Sequence, residues 1–132
     1  MKKLILPALA ALALSACAAT APASHPAPPD IASLQGKWQQ VNAGDSKPYT
    51  LEFAEGRVGA WAGCNRLSGP VSIEAGKLKT GMMISTMMAC VPPLDQRENA
   101  LKSLLSAQPE VALQNGQLAL KSDKDTVLFA RQ

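Results

Sequence analysis

The sulfur atoms of the chain's second half are the residues best placed to do chemistry. Cys64 stands in "WAGCNRLSG", and Cys90 closes "MMISTMMAC", which also holds Met82, Met83, Met87 and Met88. Two thiols can close a disulfide or carry redox chemistry. Thiolate and thioether together make a soft ligand set suited to Cu(I). A thioredoxin-like redox centre usually shows Cys-x-x-Cys spacing, which is absent. A zinc site takes about four N, S or O ligands, and from Ile31 onward there are two cysteines and no histidine. The one histidine, His25, lies in a run of Ala, Pro and Ser, so a serine or cysteine nucleophile lacks a histidine base. Nothing singles out a Ser/Lys pair, and no motif places two carboxylates in one cleft. The chain is expected to have no catalytic residues, no metal and no cofactor.

Cys17 belongs to a different pattern. Met1-Lys2-Lys3 is basic, and Leu4 to Leu14 is apolar apart from Pro7. The run is too short to span a bilayer as a helix, so residues 1–16 are expected to be a signal peptide. Leu14-Ser15-Ala16-Cys17 resembles a bacterial lipobox. That resemblance implies lipidation of the Cys17 sulfur and cleavage just before it. Ala18 in place of Asp after the cysteine implies the outer membrane, with the domain facing the periplasm. Several acyl chains anchor a protein stably where one binds reversibly. Residues 17–30, with "AATAPASHPAPPD" after the cysteine, have almost nothing to bury and read as a tether of extended polyproline character. Lys2 and Lys3 leave with the signal, so thirteen basic residues become eleven against ten acidic ones. A charge so near neutral carries no nucleic-acid signature.

Residues 31–132 are the size of one small domain and are punctuated by glycine turns. "GKWQQV" puts Trp38 and Gln40 on one strand face and Lys37, Gln39 and Val41 on the other. "YTLEF" buries Tyr49, Leu51 and Phe53 in alternation with Thr50 and Glu52. Glu55-Gly56 turns into "RVGAWA", and "PVSIEAGKLKTG" reads as two strands around Ala75-Gly76. Asn115-Gly116 supplies the positive φ angles of a two-residue hairpin in "VALQNGQLAL", and "SDKD" turns into "TVLFA". Only "PPLDQRENALKSLLSAQP" has helical period, with Leu94, Leu101, Leu104 and Leu105 on one face and prolines at both ends. The expected fold is mainly β with one helix: a small antiparallel barrel or coiled sheet closed by the helix.

"GKWQQV", "AGCNRLSG", "STMMACVPP" and the amphipathic helix with Glu98 and Leu101 together resemble the META domain family. The resemblance covers the whole of residues 31–132, and its motif falls on Trp38, Gly63, Asn65, Gly69, Thr86, Met88 and Ala89. It implies a compact barrel of lipocalin-like topology, exported and often lipid-anchored, in a family that includes a bacterial heat-shock protein. It brings no catalytic residues with it. The sequence departs from the family at Met87, where arginine is common, and at Pro70-Val71, where an aromatic usually follows Gly69.

With Cys17 lipidated, Cys64 and Cys90 form an even pair in an oxidising compartment, and a disulfide is expected. About 25 residues between them give a bridge of roughly 3 kcal/mol in the chain-entropy model. If both segments are extended, Val58, Ala60, Ala62 and Cys64 share one face, as do Met82, Ile84, Thr86, Met88 and Cys90. Asn65 and Gly69 suit the turn after Cys64. Met82 and Met88 then fill the core. Trp61, Met83 and Met87 are the candidate partner surface, the two methionines facing outward and Trp61 expected to be covered by the helix or a loop more than exposed for recognition. Structural use of the methionines is expected over copper. Ala60 and Ala62 leave room at a barrel mouth for a small apolar ligand or for Leu or Met side chains opposite to fill, and the sequence does not choose between them. The expected role is an outer-membrane lipoprotein in envelope maintenance or stress tolerance. The alternative is a periplasmic module binding a peptide, a protein or a small apolar ligand, with inhibitor or assembly-chaperone roles included.

Overall fold

The computed structural model describes residues 27–132. The expectations for the signal peptide, for Cys17 and for His25 lie outside the described residues. A short 3-10 helix, Ile31–Leu34, leads into β1, Gly36–Gln40. There follow β2, Thr50–Ala54; β3, Arg57–Trp61; β4, Arg66–Glu74; β5, Lys77–Thr80; and the two-residue β6, Ile84–Ser85. The helix α1, Leu94–Ser106, precedes β7, Glu110–Gln114; β8, Gln117–Lys121; and β9, Thr126–Arg131.

Leaving β6 aside, each strand pairs antiparallel with the next, β5 with β7 across the helix, and β9 returns to β1. The result is a closed eight-stranded meander, with β6 as an extra strand on β4. Turn chemistry makes the meander possible. Glu55-Gly56, Ala75-Gly76 and Asn115-Gly116 all have positive φ at both central residues, the twist that suits a right-handed hairpin. Alternation does the rest. Leu51 and Phe53 point inward from β2 and Val58 and Ala60 from β3, and Trp38, Phe53 and Phe129 are completely buried with the leucines of β8. The barrel holds its own side chains where the sequence left room for an apolar ligand.

The seam between β5 and β7 is thin, with one register pair, Lys77 with Glu110. Helix α1 covers it: Leu101, Leu104 and Leu105 are buried, and the Thr80 hydroxyl donates to the Leu105 carbonyl at 3.5 Å. At the start of the domain the Asp30 carboxylate accepts the Ser33 amide and caps the 3-10 helix. The other end of that helix is tied into the barrel. Trp38 Nε1 donates to the Leu34 carbonyl at 2.8 Å, and the Arg131 fork donates to Gln35 and Ser33 carbonyls at 2.8 and 2.6 Å. The Arg131 guanidinium also lies 4.3 Å from the Trp38 ring centre.

Two expectations are corrected. The turn after β3 is made at Gly63, φ +112°, while Gly69 sits inside β4 and Asn65 has no positive φ. "MMISTMMAC" is extended only at Ile84–Ser85, and three of its methionines lie on the side opposite to the expected one. Met83 packs on the core, and Met82 and Met88 are exposed. The reason is Gly69, whose missing side chain leaves the space Met83 fills: an added Cβ would lie 2.5 Å from the Met83 sulfur.

Candidate functional site: a buried asparagine knot and an exposed methionine edge

Cys64 and Cys90 are joined, Cα to Cα 6.0 Å, so neither sulfur is free as nucleophile or soft ligand. Beside them lies Asn65, a buried polar residue that must find partners. Its carbonyl oxygen accepts the Met88 amide at 2.7 Å and the Thr86 hydroxyl at 3.0 Å. Its amino group faces three acceptors at 3.3 Å: the Met88 carbonyl, the Cys90 sulfur and Glu98 Oε2. One amide thus fixes the path of residues 86–90, and the disulfide closes the same loop covalently. Gly63 lets the knot close, since a Cβ there would lie 2.8 Å from the Leu94 side chain. Among the motif residues, Asn65, Thr86 and Met88 meet here, and Ala89 lies exposed between Met88 and Cys90. Trp38 and Gly69 work elsewhere in the barrel.

Glu98 is the partner the sequence did not single out for a role. It is almost fully buried, Lys102 Nζ stands 3.7 Å from Oε2, and Oε1 has no partner. A signal was present, because Glu98 falls on the helix face of Leu94, Leu101 and Leu105. Arg97 was missed in the same way. Its Nη2 donates to the Lys47 carbonyl at 2.6 Å and its guanidinium lies 4.6 Å from the Tyr49 ring centre, bracing the loop before β2.

Trp61 is half-buried at the end of β3. Its indole N–H donates to the Cys64 carbonyl at 3.1 Å, and Lys47 and Arg66 stand 5.8 and 5.9 Å from the ring centre. The pairing register lays Lys37, Glu52, Gly59 and Ser68 in one outward row across β1 to β4, with Thr50, Trp61 and Arg66 in the next. Gly59 leaves a hollow of about 380 Å³ there, open to solvent. Beyond β4 the surface turns apolar. Met87 is exposed, as expected, and Met83 drops out of the partner surface because it faces inward. Met82, Ile84, Met88 and Val91 join Met87 instead. Among the described residues no three of His, Cys, Asp and Glu cluster as metal ligands do. No helix among them is long and apolar enough to cross a membrane.

The META domain family model matches residues 30–132. This chain belongs to the META domain family. Over 86 residues this META domain is 29% identical to the heat shock protein HslJ of Escherichia coli, covering 64% of the chain and 61% of HslJ. The match therefore spans less than two thirds of that relative. The barrel superposes on the NMR structure of a protein from Burkholderia xenovorans with a TM-score of 0.63 at 26% identity, covering 85% of this chain and 97% of that one. A second NMR structure, 24% identical, shares the fold at a TM-score of 0.63, covering 76% and 93%.

Proposed function

We propose that this META domain is a lipid-anchored, non-catalytic protein of the outer membrane's periplasmic side, serving envelope maintenance or stress tolerance. One observation carries the non-catalytic part. Asn65, Thr86, Met88 and Cys90 spend their polar groups on one another inside a closed knot, which Glu98 joins through Oε2 while its Oε1 stays buried without a partner. The family motif is then architecture, and what is left for function is surface. The name of the related HslJ supports the stress role, and "LSAC" with the proline-rich segment after it supports the anchor. The test is survival of a deletion strain under heat and detergent stress. Complementation by the wild type, and its loss with Cys17→Ser at equal protein level, is the expected result. Rescue by the unanchored variant would remove the anchor from the function. Labelled fatty acid should enter the wild type and not Cys17→Ser.

The exposed segment from Met82 to Val91 favours a second reading, a periplasmic module that binds a peptide or protein. Large contiguous apolar surface on a small protein marks an interaction site more often than it is left idle.

A further inference from the structure

Six large hydrophobic side chains are exposed among the described residues, and five of them lie between Met82 and Val91. Met82 is 85% exposed, Ile84 63%, Met87 93%, Met88 57% and Val91 69%. Residues 81–93 contain no charged residue at all. Yet the segment is not loose, because the Asn65 knot and the disulfide hold its second half and β4 holds its first. Apolar groups presented to water on a fixed frame lose little freedom when a partner covers them.

The strand edge adds direction. β6 pairs with β4 on one side and, among the described residues, with nothing on the other. A free edge is a template for an added strand. Charge then chooses the partner. Arg57 Nη2 donates to the Ser68 hydroxyl at 3.3 Å, and Ser68 is the register neighbour of Ile84. The Arg66 backbone is tied to Thr86, the residue after β6: the Thr86 amide donates to the Arg66 carbonyl at 3.1 Å and the Arg66 amide donates to the Thr86 hydroxyl at 3.0 Å. Two exposed arginines therefore stand on the strands behind the edge, Arg57 on the Ser68 hydroxyl of β4 and Arg66 with its guanidinium 5.9 Å from the Trp61 ring centre. The first carboxylate on the row through Ile84, Ser68 and Gly59 is Glu52, three strands away. A second copy paired edge to edge about a two-fold axis would bring these arginines toward their own counterparts, like against like. An acidic partner would neutralise them.

We propose that β6 and the segment to Val91 form a docking edge for an extended polypeptide with an apolar centre and acidic flanks. The proposal rests on the binding-module reading above and names its ligand. Methionine suits the task, since its unbranched, polarisable side chain adapts to varied apolar partners.

The experiment uses the mature chain with Cys17→Ser, its methionine methyls labelled with carbon-13 for NMR. The probe is a blocked nine-residue peptide, Val-Ile-Val-Ile-Val between pairs of aspartates, and the control carries lysines in place of the aspartates. Saturable shifts of the Met82, Met87 and Met88 methyls and of the Ile84 and Ser85 amides are expected with the acidic peptide, at least tenfold weaker with the basic one. Arg66→Glu should reverse that preference. Met82→Ser with Met87→Ser, both exposed and so harmless to the fold, should weaken binding about tenfold while the Trp38 indole signal stays in place. Equal binding of both peptides, or none, overturns the proposal. So does concentration-dependent broadening of these methyls without peptide, which would mean a second copy. Shifts produced only by phosphatidylglycerol vesicles would mean a lipid surface. Peptide shifts centred on Trp61 and Gly59 would overturn the docking edge and leave the binding-module reading standing. Failure of photo-reactive methionine at positions 82 and 87, and of cross-linkers elsewhere on the surface, to trap any partner in cells would remove that reading as well.

Discussion

At Asn65 the difference between an amide and a carboxylate decides whether the loop can be built. The side chain must accept on one side and donate on the other, which an amide does and an ionised carboxylate cannot. Asn65→Ala leaves the Met88 amide and the Glu98 carboxylate short of partners, and should cost about 2–4 kcal/mol in urea denaturation. Asn65→Asp should cost more at neutral pH, because it sets a second carboxylate where Glu98 Oε2 now accepts at 3.3 Å. The deficit of that variant should shrink as the pH falls and one of the two groups takes a proton. Asp30 shows the opposite case, an exposed carboxylate with a good partner. The Ser33 hydroxyl, then the Ser33 amide, hold its pKa below the ordinary carboxylate value. A depressed pKa contributes stability that is present above the unfolded-state value and fades as the pH falls through the folded one. Asp30→Asn should flatten that acid limb of the stability curve and leave neutral behaviour nearly unchanged. Neither role was legible in sequence to the same degree. Asp30 precedes its partner by three residues, whereas the partners of Asn65 lie 21 to 33 residues away.

Two glycines separate turn chemistry from packing among the strands. Gly59 faces outward with no atom nearer than 3.9 Å to an added Cβ, while Gly69 faces the Met83 sulfur and the Met82 carbonyl at 2.5 and 2.8 Å. Gly69→Ala should therefore lower stability by about 1–3 kcal/mol through overpacking, and Gly59→Ala should be neutral or slightly stabilising. Thermal melts of the two variants check both. The same pair explains where sequence alternation succeeded. β2 and β8 are flanked by strands on both sides, so their period-two pattern reports burial faithfully. The methionine segment has one neighbour over two residues, and its inward residue was chosen by a vacancy on β4 that no local pattern reveals. The position of the helix was legible from its prolines and leucines. Its buried Glu98 was not, because the need for a carboxylate arises from Asn65 across the fold.

For the whole molecule the disulfide is a tie laid over an existing one. Cys64→Ala with Cys90→Ala should lose roughly 3 kcal/mol in chemical denaturation, while Asn65 keeps residues 86–88 on their native path. The amide signals of that segment should accordingly stay close to their native positions. The overall architecture was legible from turn spacing and alternation, down to the closing helix, because a meander is built from neighbours in sequence. What could not be read was the surface, since the side that meets a partner leaves no periodic mark.

One pairing in the barrel joins its first strand to its last. Arg131 donates to the Gln35 carbonyl across 96 residues, and β9 zips onto β1 beside it. Every other strand partner can form as the chain is delivered, but this one waits for both members. Closing so large a loop costs entropy before any contact rewards it, and topologies of this kind fold slowly. The folding chain thus passes through an open, curled sheet with two raw edges, β1 and β9, before the barrel shuts. Arg131→Ala, which removes the clasp and the cover on Trp38, should slow that last step as well as weaken the finished barrel. Time spent in the open form sets how long such a protein is vulnerable to proteases and to pairing with its own copies. The rate of ring closure, more than the depth of the final energy well, then governs how much of it reaches the closed barrel intact.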